Sequence, residues 1–271
     1  MSSEIKVDTI SENTSANGVA IDSLGIKDGK ITNLMNGTLS AADLGVGVHI
    51  KSADSSASAS VHADELVIEN SANAGLSVLS GTSNTGSIFF GDSGDNDIGY
   101  IQYEHGSTNA LYFGTNAGTR MVIDSTGAVT KPAQPAFQVR GASNVTNYSI
   151  NTTHDVVFGT EVFDQNADIS SNTFTAPVTG RYILNTSLYL INADSGADYH
   201  QLDLVTSNRN NYAIVGSNVL SADSNYFSIN ITVLADMDAN DTAKVQYYQS
   251  GGAATTDSSG VGSWFSGHLA C

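Results

Sequence analysis

Short apolar segments separated by turn residues run along almost the whole sequence, and none of it has the apolar spacing of an amphipathic α-helix. In one of the longer segments, Ile229, Ile231 and Val233 alternate with the polar Asn230 and Thr232, which is typical of a strand with one buried face. Only 14% of the residues are charged, and Ser, Thr, Asn and Gly take their place. Because these residues disfavour helix interiors, the sequence predicts an all-β protein.

The charge balance restricts the partners. The chain has 27 acidic and 10 basic residues and a formal charge of −17, so its field repels phosphate groups. No apolar run approaches the length of a membrane span, and residues 1–10 lack the pattern of a secretory signal. We therefore expect neither nucleic-acid binding nor membrane insertion. Cys271 is the only cysteine, so the fold cannot use an intrachain disulfide and must rely on packing or assembly.

Changes in composition divide the chain into four parts. Residues 1–50 combine short strands with tight turns and hold too little apolar mass for a core, which is typical of an attachment segment that becomes ordered by docking. Residues 51–130 begin with a small-residue linker at 52–60 and continue as short strands, including 76–79, that intertwining with other copies would stabilise. Residues 131–135 contain two prolines and form a hinge, and residues 136–271 form a head.

The shaft carries motifs with a family resemblance. These are Gly-Ser-Ile-Phe-Phe-Gly-Asp at 86–92, Ile-Gly-Tyr-Ile-Gln-Tyr at 98–103 and Arg-Met-Val-Ile-Asp-Ser-Thr-Gly at 120–127. They resemble the shafts of bacteriophage tail fibres, most closely those of marine phages and cyanophages, and residues 5–12 resemble the beginnings of such proteins. The resemblance implies a homotrimeric virion protein on the tail or capsid surface, made in the bacterial host cytoplasm. Its first segment would bind other tail or capsid proteins.

The head has longer strands with clearer alternation, as in residues 180–191, 200–205 and 226–234. About eight or more such segments separated by turns predict an antiparallel sandwich or jelly roll. The ordered set of 136–139, Phe-Thr-Ala-Pro-Val-Thr-Gly-Arg-Tyr at 174–182 and Phe-Ser-Gly-His-Leu at 265–269 resembles the globular complement-one-q domain. That family shares a ten-strand jelly roll with tumour necrosis factor and assembles as a homotrimer, which implies a trimeric head.

Large aromatic side chains within these strands are interpreted as core or trimer-axis residues, since they bury the most apolar area. Ligand stacking is the alternative role. The candidates are Phe137, Phe158, Phe174, Tyr182, Phe227, Tyr247, Trp264 and Phe265.

Motifs for chemistry are scarce. Asp95 and Asp97 are followed by Gly99 and resemble part of a calcium loop, but the remaining ligands of such a loop are missing. No cofactor is expected, with calcium at these two aspartates as the alternative. The six histidines show no metal-ligand spacing, and the sequence has neither a Gly-x-Ser-x-Gly elbow nor a phosphate-binding loop. We therefore expect a protein that is not an enzyme.

The leading hypothesis is a phage fibre whose head recognises a host-surface receptor, either a glycan or a protein, with three heads supplying avidity. One alternative is a structural capsid-surface or connector fibre without a receptor role. Another is a polysaccharide-degrading tailspike, because paired carboxylates on distant strands leave no local trace. Loops at the ends of a sandwich are the expected contact regions, and their Ser, Asn, Tyr and Gly suit glycans. The contact candidates are Asp194, Asp198, Tyr199, Asn208, Arg209, Asn210, Tyr212, Asp223, Asn225, Thr255 and Asp257.

Overall fold

The computed structural model describes residues 39–40 and 48–271. Most of the predicted attachment segment therefore lies outside the described residues. The described regular elements are strands, apart from one 3-10 turn at Ser217–Val219. The prediction of an all-β protein is confirmed. The chain divides into two compact units, Met1–Leu79 and Ser80–Cys271, each described by itself below.

The described part of the first unit is a three-stranded sheet. Its strands are β1 Leu39–Ser40, β2 Val48–Lys51 and β3 Leu66–Glu69, and β2 pairs antiparallel with β1 and parallel with β3. Between β2 and β3, the backbone N–H and hydroxyl of Ser55 both donate to Oε1 of the buried Glu69. Residues 76–79 do not form the predicted strand, and the side chains of Leu76, Val78 and Leu79 are exposed.

The second unit begins with a five-stranded antiparallel meander in which each strand pairs with the next along the chain. Its faces are only half covered, and Ile88, Phe89 and Phe90 are exposed. The ring of Tyr100 lies over Gly114 on the neighbouring strand. A Cβ atom at position 114 would lie 2.2 Å from this ring, so the glycine leaves the room that the ring needs. The strands are β4 Thr85–Phe90, β5 Gly99–Glu104, β6 Ala110–Thr115, β7 Gly118–Ile123 and β8 Val129–Thr130.

The head that follows contains thirteen strands, seven in one sheet and six in the other. They are β9 Ala136–Arg140, β10 Val145–Tyr148, β11 Thr153–Asp155, β12 Thr160–Asp164, β13 Ile169–Ser170, β14 Thr173–Thr175, β15 Gly180–Ile191, β16 Tyr199–Thr206, β17 Asn210–Gly216, β18 Phe227–Met237, β19 Thr242–Ser250, β20 Thr256–Ser258 and β21 Trp264–Leu269.

Strand order defines a jelly roll. The first sheet runs β18-β15-β21-β9-β12, with β20 and β10 continuing along the end of β15 beyond β21. The second sheet runs β13-β14-β19-β16-β17, with β11 also on β19. The first and last strands of the head, β9 and β21, lie side by side, and every pair in both sheets is antiparallel. The predicted antiparallel jelly-roll sandwich is confirmed.

The core lies between these two sheets and is built by alternation. The even-numbered side chains of β15, among them Tyr182, Leu184 and Leu188, point inward and are fully buried. Phe137 stacks on Phe174 with ring centroids 4.7 Å apart, which ties the first sheet to the second. Six of the predicted core or axis residues lie in this core: Phe137, Phe158, Phe174, Tyr182, Tyr247 and Phe265. Phe227 packs against it from the margin, and Trp264 is partly buried.

Candidate functional site

The outer face of the first sheet has no Asp, Glu, Lys or Arg at its centre, where exposed apolar side chains lie among neutral polar ones. Register across β18, β15, β21, β9 and β12 aligns two rows of side chains on this face. Phe163 is 48% exposed and Leu234 is 63% exposed, so two large apolar side chains contact water on this face. We call this surface the apolar face. Its rows are Phe163, Gln138, Ser266, Asn185 and Thr232, and Ala136, His268, Ile183 and Leu234.

The outer face of the second sheet is polar and concave. Strand β16 lies between β19 and β17, so Gln201 is beside Tyr248 and Asp203 is beside Gln246. Together they form a cavity of about 270 Å³ on the sheet surface. We call this cavity the polar groove. It is lined by Thr153, Tyr199, Gln201, Asp203, Asn210, Gln246 and Tyr248.

Aromatic rings and amides define the chemistry of the polar groove. The rings of Tyr199 and Tyr248 have centroids 6.1 Å apart and are inclined by 36°, so they do not stack face to face on each other. Gln201 Nε2 donates to Asp203 Oδ1 at 2.8 Å. Asp203 is only 3% exposed, although it lies on the outer side of the sheet. The groove therefore holds a largely desolvated carboxylate beside aromatic rings.

A second carboxylate, Asp155, lies in the row beside Gln246, and its charge is balanced. Gln246 Nε2 donates to Asp155 at 2.7 Å, and Lys244 Nζ donates at 2.9 Å. The hydrogen bond from Gln246 and the ammonium group of Lys244 together hold the pKa of Asp155 below its ordinary value. The amine of Lys244 is thus engaged by Asp155.

One end of the sandwich carries loops that are anchored by a buried carboxylate. Asp194 is 4% exposed, and its Oδ1 accepts the Gly196 N–H at 2.8 Å. Its Oδ2 accepts the N–H groups of Ala253 and Ala254, each at 2.9 Å. Burial on its own raises the pKa of Asp194, but these three N–H groups outweigh it and hold the pKa below its ordinary value. Loops 192–198 and 251–255 are thereby fixed to each other.

A buried histidine contacts the loops at the same end of the sandwich through the backbone of Asp194. His200 is fully buried, and its Nε2 lies 3.1 Å from the carbonyl oxygen of Asp194. Since a carbonyl can only accept, Nε2 carries the proton and Nδ1 accepts the Tyr247 hydroxyl at 2.7 Å. Burial lowers the pKa of His200 and raises the pKa of Tyr247. The neutral imidazole is therefore part of the fold around the loops.

The structure separates the predicted contact residues into three places. Tyr199 and Asn210 line the polar groove, and Tyr212 lies on the same face with 61% exposure. The loops at the anchored end hold Asp194, Asp198, Asp223, Asn225 and Thr255, Asp257 lies in the adjoining strand β20, and buried Asp194 faces its own loop partners. Asn208 and Arg209 lie in the turn at the opposite end, where the Asn208 amide donates to Asp241.

Five groove residues were missing from the sequence prediction: Thr153, Gln201, Asp203, Gln246 and Tyr248. All five lie in strands, where a polar residue at alternate positions is the ordinary pattern of a solvent-facing side. The sequence signal that could have identified the groove was the recurrence of Gln and Tyr at the polar positions of β16 and β19.

The predicted calcium residues form a turn in the meander. The backbone N–H of Asp97 donates to Asp95 Oδ1 at 3.2 Å. A hydrogen bond to the Asp95 carboxyl, then burial and the repulsion between the two charges, raise the pKa of Asp97. Within residues 39–40 and 48–271, no group of three or more His, Cys, Asp or Glu side chains is arranged to hold a metal ion. Calcium at Asp95 and Asp97 stays a prediction.

Comparison with known proteins finds similarity in structure only. No protein-family model and no curated protein matches the sequence. Solved structures that match about half of this chain include the globular domain of zebrafish complement 1qA, with 16% identity, a TM-score of 0.38, and 51% of this chain and 98% of that chain covered. Eiger TNF from S. frugiperda has 14% identity, a TM-score of 0.37, and coverages of 51% and 94%. PRD1 vertex protein P5 has 11% identity, a TM-score of 0.33, and coverages of 50% and 96%.

The class of this protein follows from its own strand order, which makes it an all-β chain with a jelly-roll head. The jelly-roll fold predicted for the head is established by this strand order. The resemblance of the shaft to tail fibres stays a prediction. Among the described residues, no helix is long and apolar enough to cross a membrane.

Proposed function

We propose that this chain is a homotrimeric tail fibre of a bacteriophage virion, attached through its first segment, whose head recognises a glycan on the host surface. The observation that carries the proposal is the contrast between the two outer faces of the head. One sheet presents the apolar face, and the other presents the polar groove. A head of this kind has one surface suited to assembly and another suited to a hydroxyl-rich ligand.

The apolar face supports self-association. Copies of a chain with a net charge of −17 repel one another, so an interface between copies needs an uncharged surface. The two central rows of the apolar face contain no Asp, Glu, Lys or Arg, and they include the exposed Phe163 and Leu234. Burying such groups in a second copy removes them from water, which is the dominant favourable contribution to association.

Trimerisation through the apolar face leaves the polar groove facing outward, because the groove lies on the opposite sheet of the sandwich. Three identical grooves on one particle raise a weak single-site affinity through effective concentration. Weak binding to a repeated surface glycan then becomes firm attachment.

The proposal is tested with the purified full chain and its Leu234→Asp variant. Sedimentation velocity should give a trimer for the wild type and a smaller species for the variant. Fluorescently labelled wild-type protein should bind host cells, and the variant should bind less because it loses avidity. Tyr226→Ala is the matched control, since Tyr226 is 87% exposed and lies outside both surfaces.

Three results would contradict the proposal. A monomeric wild type would rule out the proposed trimeric assembly. A trimer without any cell binding would instead indicate a structural fibre. Release of sugar products from host polysaccharide would indicate a degrading tailspike.

A further inference from the structure

We propose that the polar groove binds one ring of a neutral, hydroxyl-rich sugar, with Asp203 accepting hydrogen bonds from its hydroxyl groups. This inference rests on the proposed function and names the site and the ligand class. It also moves recognition away from the loop tips, where the sequence placed most of it, to the face of the second sheet.

The state of Asp203 carries the inference. This carboxylate is 3% exposed and lines the groove, and Gln201 Nε2 reaches its Oδ1. Its Oδ2 has no hydrogen-bond partner among the described residues. This oxygen is not among the fully buried atoms of the described residues, so it is open to the groove, and a mostly buried carboxylate is costly unless donors reach it. Adjacent sugar hydroxyls are neutral donors of the required kind, and a hydrogen bond to a charged group is stronger than one between neutral groups.

The two glutamines supply acceptors and donors of fixed orientation. The Nε2 of Gln201 donates to Asp203, and the Nε2 of Gln246 donates to Asp155. These bonds to carboxylates identify the nitrogen end of each amide. Each Oε1 is therefore left as an acceptor without a partner in the described part of the chain. A sugar hydroxyl can donate to such an oxygen while its own oxygen accepts from a neighbouring group.

The tyrosines supply the apolar part of the site. A sugar ring has a face of C–H groups that packs on an aromatic ring, and Tyr adds a hydroxyl at the edge of that surface. Tyr199 and Tyr248 both line the groove, inclined by 36°, so one ring can form a floor and the other a wall. With a volume of about 270 Å³, the groove is smaller than a drug-sized pocket and suits a single ring.

Charge determines which sugars fit. The lining of the groove contains Asp203 and no Lys or Arg, while the amine of Lys244 is engaged by Asp155. The whole chain has a charge of −17. An acidic sugar would place its carboxylate against Asp203 without a cation between them, and the resulting repulsion is strong where water is excluded. The groove therefore selects neutral rings over acidic ones.

The test measures binding of methyl glycosides of glucose, galactose and mannose, with sialic acid as the acidic probe, to the full chain by ligand-observed NMR. At least one neutral glycoside should bind, and sialic acid should not. Tyr248→Ala and Asp203→Asn should each weaken binding about tenfold or more, as expected for the loss of one charged hydrogen bond or one packed ring. Tyr226→Ala should bind as the wild type does, and thermal unfolding should show that each variant is folded.

Several outcomes would overturn the inference. Unchanged sugar binding by folded Tyr248→Ala and Asp203→Asn would exclude the groove. Equal binding of sialic acid would refute the charge selection. Calcium binding that Asp203→Asn abolishes would make the groove a cation site. If wild-type protein binds host cells while the groove variants bind them equally well, the inference fails and the proposed function stands. If the wild type binds no cells, the proposed function fails.

Discussion

Replacement of Asp194 by asparagine tests how the loops at the anchored end of the head are held. The carboxylate accepts N–H groups from Gly196, Ala253 and Ala254 within 2.9 Å. An asparagine has one acceptor oxygen and one amide nitrogen, so at least one of these N–H groups would face another donor. The remaining bonds would lose their charge and become weaker.

The magnitude follows from these contacts. A hydrogen bond to a charged group contributes about 1.5–3 kcal/mol, and a buried donor left unpaired costs a similar amount. Losing one bond and weakening two should cost about 3 kcal/mol in the stability of the two loops, close to a hundredfold in their opening equilibrium.

Amide hydrogen exchange measures this opening. In Asp194→Asn, the amides of Ala253 and Ala254 should exchange about a hundredfold faster, while the amide of Leu204 in β16 should change little. The matched control is Asp198→Asn, because Asp198 is exposed and its carboxylate accepts the Ser250 hydroxyl at 3.2 Å. Unchanged exchange at Ala253 and Ala254 in a folded variant would refute the role assigned to Asp194.

Three further predictions concern the fold. Phe137→Ala removes a buried ring stacked on Phe174 and should lower the free energy of unfolding by about 3–5 kcal/mol in urea denaturation; a loss below about 1 kcal/mol would contradict this packing. Burial lowers the pKa of His200, so the unfolded chain binds a proton at this residue more readily than the folded chain does. The free energy of unfolding should therefore fall as the pH drops below about 6.5. His200→Asn should flatten that dependence in unfolding measured over pH, and an unchanged slope would assign it to other groups. Gly114→Ala places a methyl group against Tyr100 and should destabilise the meander by about 1–3 kcal/mol, measured by urea unfolding; a neutral result would show that the ring moves aside.

Alternation in the sequence was sufficient to predict the long strands of the head. Residues 180–191 form β15 over the predicted range, because four of their even positions, Tyr182, Leu184, Leu188 and Leu190, are apolar and fill the core. Strand β18 extends to Met237, beyond the predicted 226–234, since Ala235 and Met237 continue the inward alternation. Local pattern therefore identifies strands well where one face is buried.

The shorter strands and the candidate site were harder to predict. Residues 76–79 are apolar enough for a strand, but pairing needs a neighbour, and the described residues provide none there. The polar groove depends on register: Gln201 meets Tyr248 and Asp203 meets Gln246 across more than forty residues of sequence. Such pairings follow from tertiary packing and not from local sequence pattern. The sequence therefore pointed to the loops as the ligand-binding region.

The most direct test of the account is the structure of the assembled full-length protein, determined by crystallography with a saturating neutral methyl glycoside. We expect one sugar ring in each polar groove, packed on Tyr199 or Tyr248, with a hydroxyl group at hydrogen-bond distance from Asp203 Oδ2. Sugar bound instead at loops 192–198 and 251–255, or a groove covered by a neighbouring subunit, would contradict it.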